Sequence, residues 1–363
     1  MGAAAAARVP PAMRLARHVI AALLLTCALA PAAAAAPDDP IDVDYGIPDY
    51  AYDAAYTDLS ELPDVPRRTT FTLKGDDTMM ASTWYTTWNG RTRRLIALYP
   101  KLPQRQRMPL VLVFHGAGGR ALCDRTFGNI PGQYRFVVAC IDGQGVRSRG
   151  YSYGAAQHLA DNAQVIDHLR RRLPGLRIDR SRLVAAGGSM GGQEALLFGA
   201  VYPQLTQTIV AMDMPTDMGK RFWKLPRYRQ IALYNECLGT PQQAPDCYAK
   251  RSPQSVAGIL AASSQRLVLY WSVNDDISPP EQAPAFARAV RAANPSRPFL
   301  IRIGNWVHGG AWAPVSSNFE WLADAGVIPD SARAATRFPA GYRIEVDAAT
   351  WIDDLPAFHA DDE

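Results

Sequence analysis

Two textures of apolar residues alternate along the chain after about residue 69. TTFTLK (69–74) and MMASTWYT (79–86) flank Gly75-Asp76-Asp77 and predict a hairpin, and TRRLIALYP (92–100) adds a further strand. PLVLVFHG (109–116) is different: a nearly unbroken β-branched and apolar run, as in a strand covered on both faces of a parallel sheet. The same texture returns in YRFVVACID (134–142), SRLVAAGGS (181–189), TIVAMDM (208–214), RLVLYWSV (266–273) and FLIRIG (299–304). Helical periods fill the intervals. AAQHLADNAQVIDHLRRRL (155–173) sets Leu159, Ala163, Ile166, Leu169 and Leu173 on one stripe and stops at Pro174-Gly175. Further helices run from Met190 to about Val201, over 281–293 and over about 317–325. Strands alternating with helices predict an α/β domain with helices on both faces of its sheet. Residues 216–258, rich in Arg, Lys, Tyr, Pro and Cys, interrupt the alternation and read as a cap or loop insertion.

Ahead of this pattern, residues 13–36 have a basic start, an apolar stretch from Val19 to Ala30 and small residues suited to signal peptidase. The stretch ends at Pro31, short of the ~20 apolar residues a membrane span needs. Residues 1–36 therefore read as a signal peptide, cleaved after Ala30 or near Ala36, with Met13 an alternative start. Cys27 keeps a lipoprotein reading open, although Thr26 before it is larger than such processing prefers. Residues 37–66 read as a surface arm, 67–326 as one domain, and 327–363, with eight acidic against three basic side chains, as an acidic tail.

Composition narrows the class. The 363 residues are 48% apolar and 20% charged, which suits a water-soluble globular protein. The net charge of +4 is misleading, because Arg8, Arg14 and Arg17 leave with the leader; 35 basic and 34 acidic side chains remain, a net of +1. That balance excludes nucleic acid and anionic membrane as partners, and no stable membrane insertion is expected once the leader is gone; the oligomeric state stays open. Four cysteines remain, and an even count in an exported chain predicts two disulfides with three possible pairings. Cys237 and Cys247 bracket a Gly/Pro-containing loop, while Cys123 and Cys140 fall near the same end of two neighbouring strands. Pairings 123–140 and 237–247 follow, and no CxxC or HxxxH spacing supports zinc instead.

Candidate chemistry centres on GGSMGG (187–192), a G-x-S-x-G pattern directly after a strand and directly before a helix. A serine hydroxyl is a poor nucleophile near neutral pH unless held out on a sharp turn within reach of a base, so Ser189 is the candidate nucleophile. The bland reading is a glycine-rich turn whose serine caps the helix. HGAGG (115–119) after the strand ending at Phe114 can present backbone N–H groups to an oxyanion, with Ala117 and Met190 as donors and Gly118 the alternative to Ala117. Among the histidines, His308 in NWVHGG follows a strand and has Gly309 and Gly310 beside it, which selects it as base. The orienting carboxylate belongs between Ser189 and His308 in chain order. Asp275 fits best, with Asp276 one register step away and Asp213, at the end of the preceding strand, as a structural competitor. Trp223, Trp306, Trp312 and Tyr151 are candidates for the substrate pocket. No metal or organic cofactor is required by such a mechanism.

HGAGG at 115–119, Ser189 in GGSMGG, Asp275 in SVNDDISP and His308 in NWVHGG together resemble the α/β-hydrolase superfamily. The likeness extends to secreted bacterial serine esterases of the feruloyl/acetyl-xylan and polyhydroxybutyrate-depolymerase-like group, and to prolyl-oligopeptidase-like hydrolases. Tyr248, Arg251, Ser252 and Pro253 resemble the segment before the acid strand in peptidase-like members. The resemblance implies an α/β-hydrolase fold: a mostly parallel eight-stranded sheet, helices on both faces, and a small insertion before the acid strand. It implies cleavage of small or polymer-linked carboxylic esters through an acyl-enzyme. A small serine peptidase and a non-catalytic binding or cell-surface protein on the same fold are the alternatives.

Overall fold

The structure, a computed structural model, describes residues 69–87, 92–101, 106–145, 147, 150–297, 299–338 and 344–347. The leader at 1–36, the arm at 37–66 and the end of the tail at 348–363 lie outside the described residues. β1 (Thr70–Lys74), β2 (Thr78–Thr86) and β3 (Thr92–Pro100) form an antiparallel meander. β4 (Met108–Phe114) is followed by the short helices α1 (Cys123–Phe127) and α2 (Ile130–Tyr134) and then β5 (Val137–Ile141). The stripe at 155–173 forms two helices, α3 (Ala156–Ala163) and α4 (Val165–Arg172), which meet at Gln164. β6 (Ile178–Gly188), α5 (Met190–Val201) and β7 (Thr208–Met212) follow. The insertion contributes α6 (Met218–Lys224), α7 (Arg227–Cys237) and α8 (Pro245–Lys250), after which come α9 (Ala257–Ala262), β8 (Arg266–Ser272), α10 (Gln282–Ala293), β9 (Leu300–Gly304), α11 (Asn318–Asp324) and β10 (Ile344–Asp347).

These strands form one sheet in the order β1-β2-β3-β5-β4-β6-β7-β8-β9-β10, parallel from β5 through β9. The sheet has ten strands where the resemblance implied eight. β1 to β9 match the strands read from the sequence, with β1 a largely exposed edge, and β10 closes the other edge by pairing antiparallel with β9. Pairing satisfies backbone groups that β9 would otherwise present unpaired at an edge. The unbroken apolar runs have a direct cause. In β4, Leu110, Leu112 and Phe114 face one core with Leu196 and Phe286, while Val111 faces the other with Phe127 and Trp321. Period-2 alternation therefore buries both sides. Among the described residues no helix is long and apolar enough to cross a membrane. The disulfides join Cys123 to Cys140, tying α1 to β5, and Cys237 to Cys247, tying the end of α7 to α8.

The domain does not stop at Gly326. Val327, Ile328 and Ala332 are buried in the second core, and Arg333 reaches back to Asp324 at 2.5 Å and Glu320 at 2.7 Å. Acidic balance alone made this stretch read as a tail; its first dozen residues are apolar enough to pack. Asp324 also accepts hydrogen bonds from Arg302 at 2.7 and 2.8 Å and from the Tyr270 hydroxyl. Burial raises the pKa of its carboxyl, but the Arg302 and Tyr270 hydrogen bonds outweigh burial and hold it below the ordinary range. A depressed pKa stabilises the fold above the unfolded carboxyl's pKa of ~3.9, and this is lost as pH falls through the folded value. Asp324→Asn is expected to lower stability by about 3 kcal/mol in urea at pH 7. The deficit should shrink below pH ~4, as urea titrations across that range will report.

Candidate active site

Ser189 follows β6 directly and starts the turn into α5. Its φ of +58° is a left-handed conformation rare for a side-chain-bearing residue, of the kind that clusters at functional sites and costs about 1–3 kcal/mol. Two glycines make the turn possible. A Cβ on Gly187 would stand 2.4 Å from the Gly191 backbone, and one on Gly191 would stand 2.1 Å from the Phe114 carbonyl oxygen. The Ser189 N–H donates to the Met212 carbonyl at 2.8 Å, which pins the elbow to β7.

Asp275 and His308 come from the loops after β8 and β9. The His308 Nδ1–H donates to Asp275, with Oδ2 at 2.9 Å and Oδ1 at 3.0 Å. Asp275 Oδ1 also accepts the N–H groups of Ile277 at 2.8 Å and Ser278 at 2.7 Å. The carboxylate is thereby locked, the imidazole tautomer is set, and Nε2 is left to accept a proton. Asp276 is exposed. Asp213, the other competitor, does not bond the imidazole but supports its loop from below. Its carboxylate accepts from Trp306 Nε1 at 3.0 Å and from the Gly309 N–H at 3.2 Å. Burial, reinforced by the charge of Asp275, pushes the Asp213 carboxyl up to about 7.

The HGAGG loop follows β4 and lies beside the elbow, with Gly116 facing Ser189. Gly118 is not a free donor, because its N–H bonds the Gly150 carbonyl at 2.6 Å, and Gly119 turns its own back to Gly116 at 2.9 Å. That leaves the N–H of Ala117, which makes no backbone bond among the described residues. Met190 adds an N–H from the first turn of α5, where helix donors lack intrahelical partners. His115 is structural: its Nδ1–H donates to the Gly116 carbonyl at 2.7 Å, and burial lowers its pKa. Behind it lies a network that sequence reading missed. Buried Glu194 accepts from Ser152 Oγ at 2.5 Å and the Gly154 N–H at 2.9 Å, and His158 Nε2 lies 3.5 Å away. Its available signal was the polar pair Gln193-Glu194 inside an otherwise apolar helix.

Residues 133–326, just over half of the chain, match the prolyl oligopeptidase family. The chain belongs to that family. Its members are serine hydrolases on an α/β-hydrolase fold. A zebrafish (Danio rerio) serine hydrolase-like protein is 28% identical over 120 residues, 31% of this chain and 34% of that protein, so the match spans about a third of the relative. Among solved structures, an acetyl xylan esterase from Paenibacillus superposes with a TM-score of 0.57 at 15% identity, covering 80% of this chain and 95% of that one. Dipeptidyl peptidase 4 from Porphyromonas gingivalis gives 0.52 at 19% identity, covering 69% of this chain and 35% of that one. An S-formylglutathione hydrolase from Staphylococcus aureus gives 0.52 at 14% identity, covering 72% and 98%. At these identities the likeness speaks to fold.

The walls of this prolyl oligopeptidase family site differ from the expected ones. Trp306 is 0% exposed and anchors the histidine loop, hydrogen-bonded to Asp213 and stacked on Phe338 at 6.0 Å, so it lines no pocket. Two residues before His308 in the same loop, it turns inward to the second core. Trp223 is 54% exposed, edge-on to Phe222, on the insertion's outer surface. Tyr151 sits against Gly118. Trp312 stands edge-on to His308 at 6.3 Å and presses so closely on Gly188 that a Cβ there would lie 2.1 Å from its ring. Beside it a mostly apolar cavity of about 300 Å³ runs from Gly116 and Gly188 past Met212 to Trp321. None of its lining residues comes from the insertion.

The two carboxylates predict opposite outcomes. Asp275→Asn is expected to lower kcat by about 10⁴, the effect of a wrong-tautomer histidine, while Asp213→Asn should cost about tenfold or less, since Asn still accepts from Trp306. The raised pKa of Asp213 stabilises the fold below the unfolded value of ~3.9, and that advantage is lost as pH rises towards about 7. The stability gain of Asp213→Asn over wild type should therefore grow across that window and level off above it in pH-dependent unfolding.

Proposed function

We propose that this protein is an exported serine esterase that cleaves carboxylic esters through an acyl-enzyme. The observation that carries the reading is the locked Asp275–His308 pair beside the Ser189 elbow. Ser189 Oγ attacks the ester carbonyl while His308 Nε2 takes its proton. Asp275 stabilises the resulting imidazolium without itself being protonated. The N–H groups of Ala117 and Met190 receive the charge developing on the carbonyl oxygen. His308 then returns the proton to the departing alkoxide, and water activated by the same imidazole releases the acid.

Two features support the esterase reading. The apolar cavity between the HGAGG loop and Trp312 offers room for an acyl or aryl group. Two structural neighbours matched over nearly their whole length are an acetyl xylan esterase and an S-formylglutathione hydrolase. A small serine peptidase is the second reading, favoured by the family match itself. Export is supported by the leader-like sequence at 13–36 and by the disulfides.

Ser189→Ala should abolish ester turnover in a protein whose circular dichroism is unchanged, and a fluorophosphonate should label the parent and not the variant. Absence of labelling in the folded parent supports the non-catalytic reading. Short-chain 4-nitrophenyl esters should exceed Ala- or Pro-terminated 4-nitroanilides by about 100-fold in kcat/KM, or ~2.7 kcal/mol of transition-state discrimination. Faster anilide cleavage moves the assignment to the peptidase. Protein recovered outside the cell should show four thiols that react with alkylating agent only after reduction; four free thiols count against export.

A further inference from the structure

Unmet polar groups gather where the insertion meets the crevice. Arg221, on α6, is only 5% exposed, yet among the described residues its guanidinium makes no ion pair and no side-chain hydrogen bond. The described residues leave this guanidinium without an anionic partner while its nitrogens keep contact with water, and burial of the rest of the side chain lowers its pKa. The charged and titratable groups that act on it are Tyr153, Asp275, Arg229 and Glu281, so it stands within electrostatic reach of the catalytic carboxylate. Arg229, on α7, has a buried Nε without a partner, its guanidinium carbon 5.6 Å from the Tyr228 ring centre.

These two cations are the leading charged neighbours of the Tyr153 side chain. Tyr153 is 2% exposed and its hydroxyl is also unpartnered. The tyrosine is held in a left-handed conformation, φ +44°. Its N–H donates to Met190 Sδ at 3.4 Å and its carbonyl accepts from Gln193 at 3.1 Å, so it is braced against the residue next to Ser189. Phe222 of α6 and Leu233 of α7 pack with Tyr153 in one apolar cluster, so the two guanidinium groups and the phenol sit on neighbouring elements and offer donors without an acceptor. Planar guanidinium forks match the two oxygens of a carboxylate.

We propose that Arg221, Arg229 and Tyr153 form a carboxylate-binding subsite, and that the preferred ester carries a free carboxylate near its scissile bond. This deepens the esterase reading and rests on it for the word ester, but the binding site can be tested without turnover. In Ser189→Ala protein at constant ionic strength, about 20 mM glutarate should raise the melting temperature by about 2 °C or more, and adding Arg221→Met should remove the shift. Without glutarate, Arg221→Met should melt no lower than its parent, because no side-chain partner of the guanidinium is lost. The subsite is overturned by an equal shift in both proteins, by no shift in either, by a fall of several degrees on Arg221→Met alone, or by a larger Arg221-dependent shift with inorganic phosphate than with glutarate.

Turnover then locates the carboxylate. The mono-4-nitrophenyl ester of glutaric acid against 4-nitrophenyl pentanoate reads the acyl side, and 4-acetoxybenzoate against its methyl ester reads the leaving group. In one pair the charged-to-neutral ratio of kcat/KM should fall at least ~10-fold on Arg221→Met, the scale of one charge-assisted hydrogen bond. An unchanged ratio in both pairs overturns the proposal. Arg221-dependent glutarate binding with no ester cleaved in either pair sinks the esterase reading and leaves the carboxylate subsite standing.

Discussion

Parallel neighbours in a sheet must be joined by connections that cross back over one of its faces. β4, β6, β7, β8 and β9 therefore deliver their last residues to a single edge, and every chemically interesting side chain arises just beyond it. Ser189 follows β6, Asp213 follows β7, and the loops after β8 and β9 bring Asp275 and His308. Loops gathered at such an edge repel or wander unless something binds them together. Here Asp213 does so: one buried carboxyl holds Trp306 and Gly309 on either side of His308. A further tie runs from the Ser272 hydroxyl to the Trp306 carbonyl. The imidazole is thus oriented twice, directly by Asp275 and indirectly by the loop beneath it.

Local chemistry explains what was legible in the sequence. Buried parallel strands announce themselves as apolar runs, and the serine turn requires glycine at Gly187 and Gly191 whatever surrounds it. Residues whose position depends on depth were not legible. Trp306 and Trp312 occupy the same short loop and look alike in sequence, yet one lies under the histidine and the other against Gly188, beside Ser189. The supporting role of Asp213 depends on a tryptophan 93 positions away. The closing strand was equally hidden, because β10 lies in a stretch whose acidic charge masks its backbone pairing.

The insertion belongs to the same body as the elbow. Met218, Phe222, Leu233 and Tyr248 share one apolar cluster with Tyr153 and Met190. Polar ties reinforce it: Arg251 donates to the Ser152 carbonyl at 2.8 Å, Gln193 donates to the Arg251 carbonyl at 2.6 Å, and Thr216 bonds Gln282 through both its N–H and its hydroxyl at 2.8 Å. Fastened in this way, the insertion cannot be reshaped without disturbing Met190, the residue next to Ser189.

The stacking of Phe338 on Trp306 has a consequence in time as well as in space. A chain emerges from its N-terminus, and its domains fold as units during synthesis. The elbow is made when Ser189 and its partner strand are complete, but the floor of the histidine loop needs an aromatic ring some 30 positions after His308. A nascent chain shorter than that lacks the ring on which Trp306 stacks. Support for the histidine loop is therefore complete only late in the order in which the chain is made, well after the residues of the serine turn.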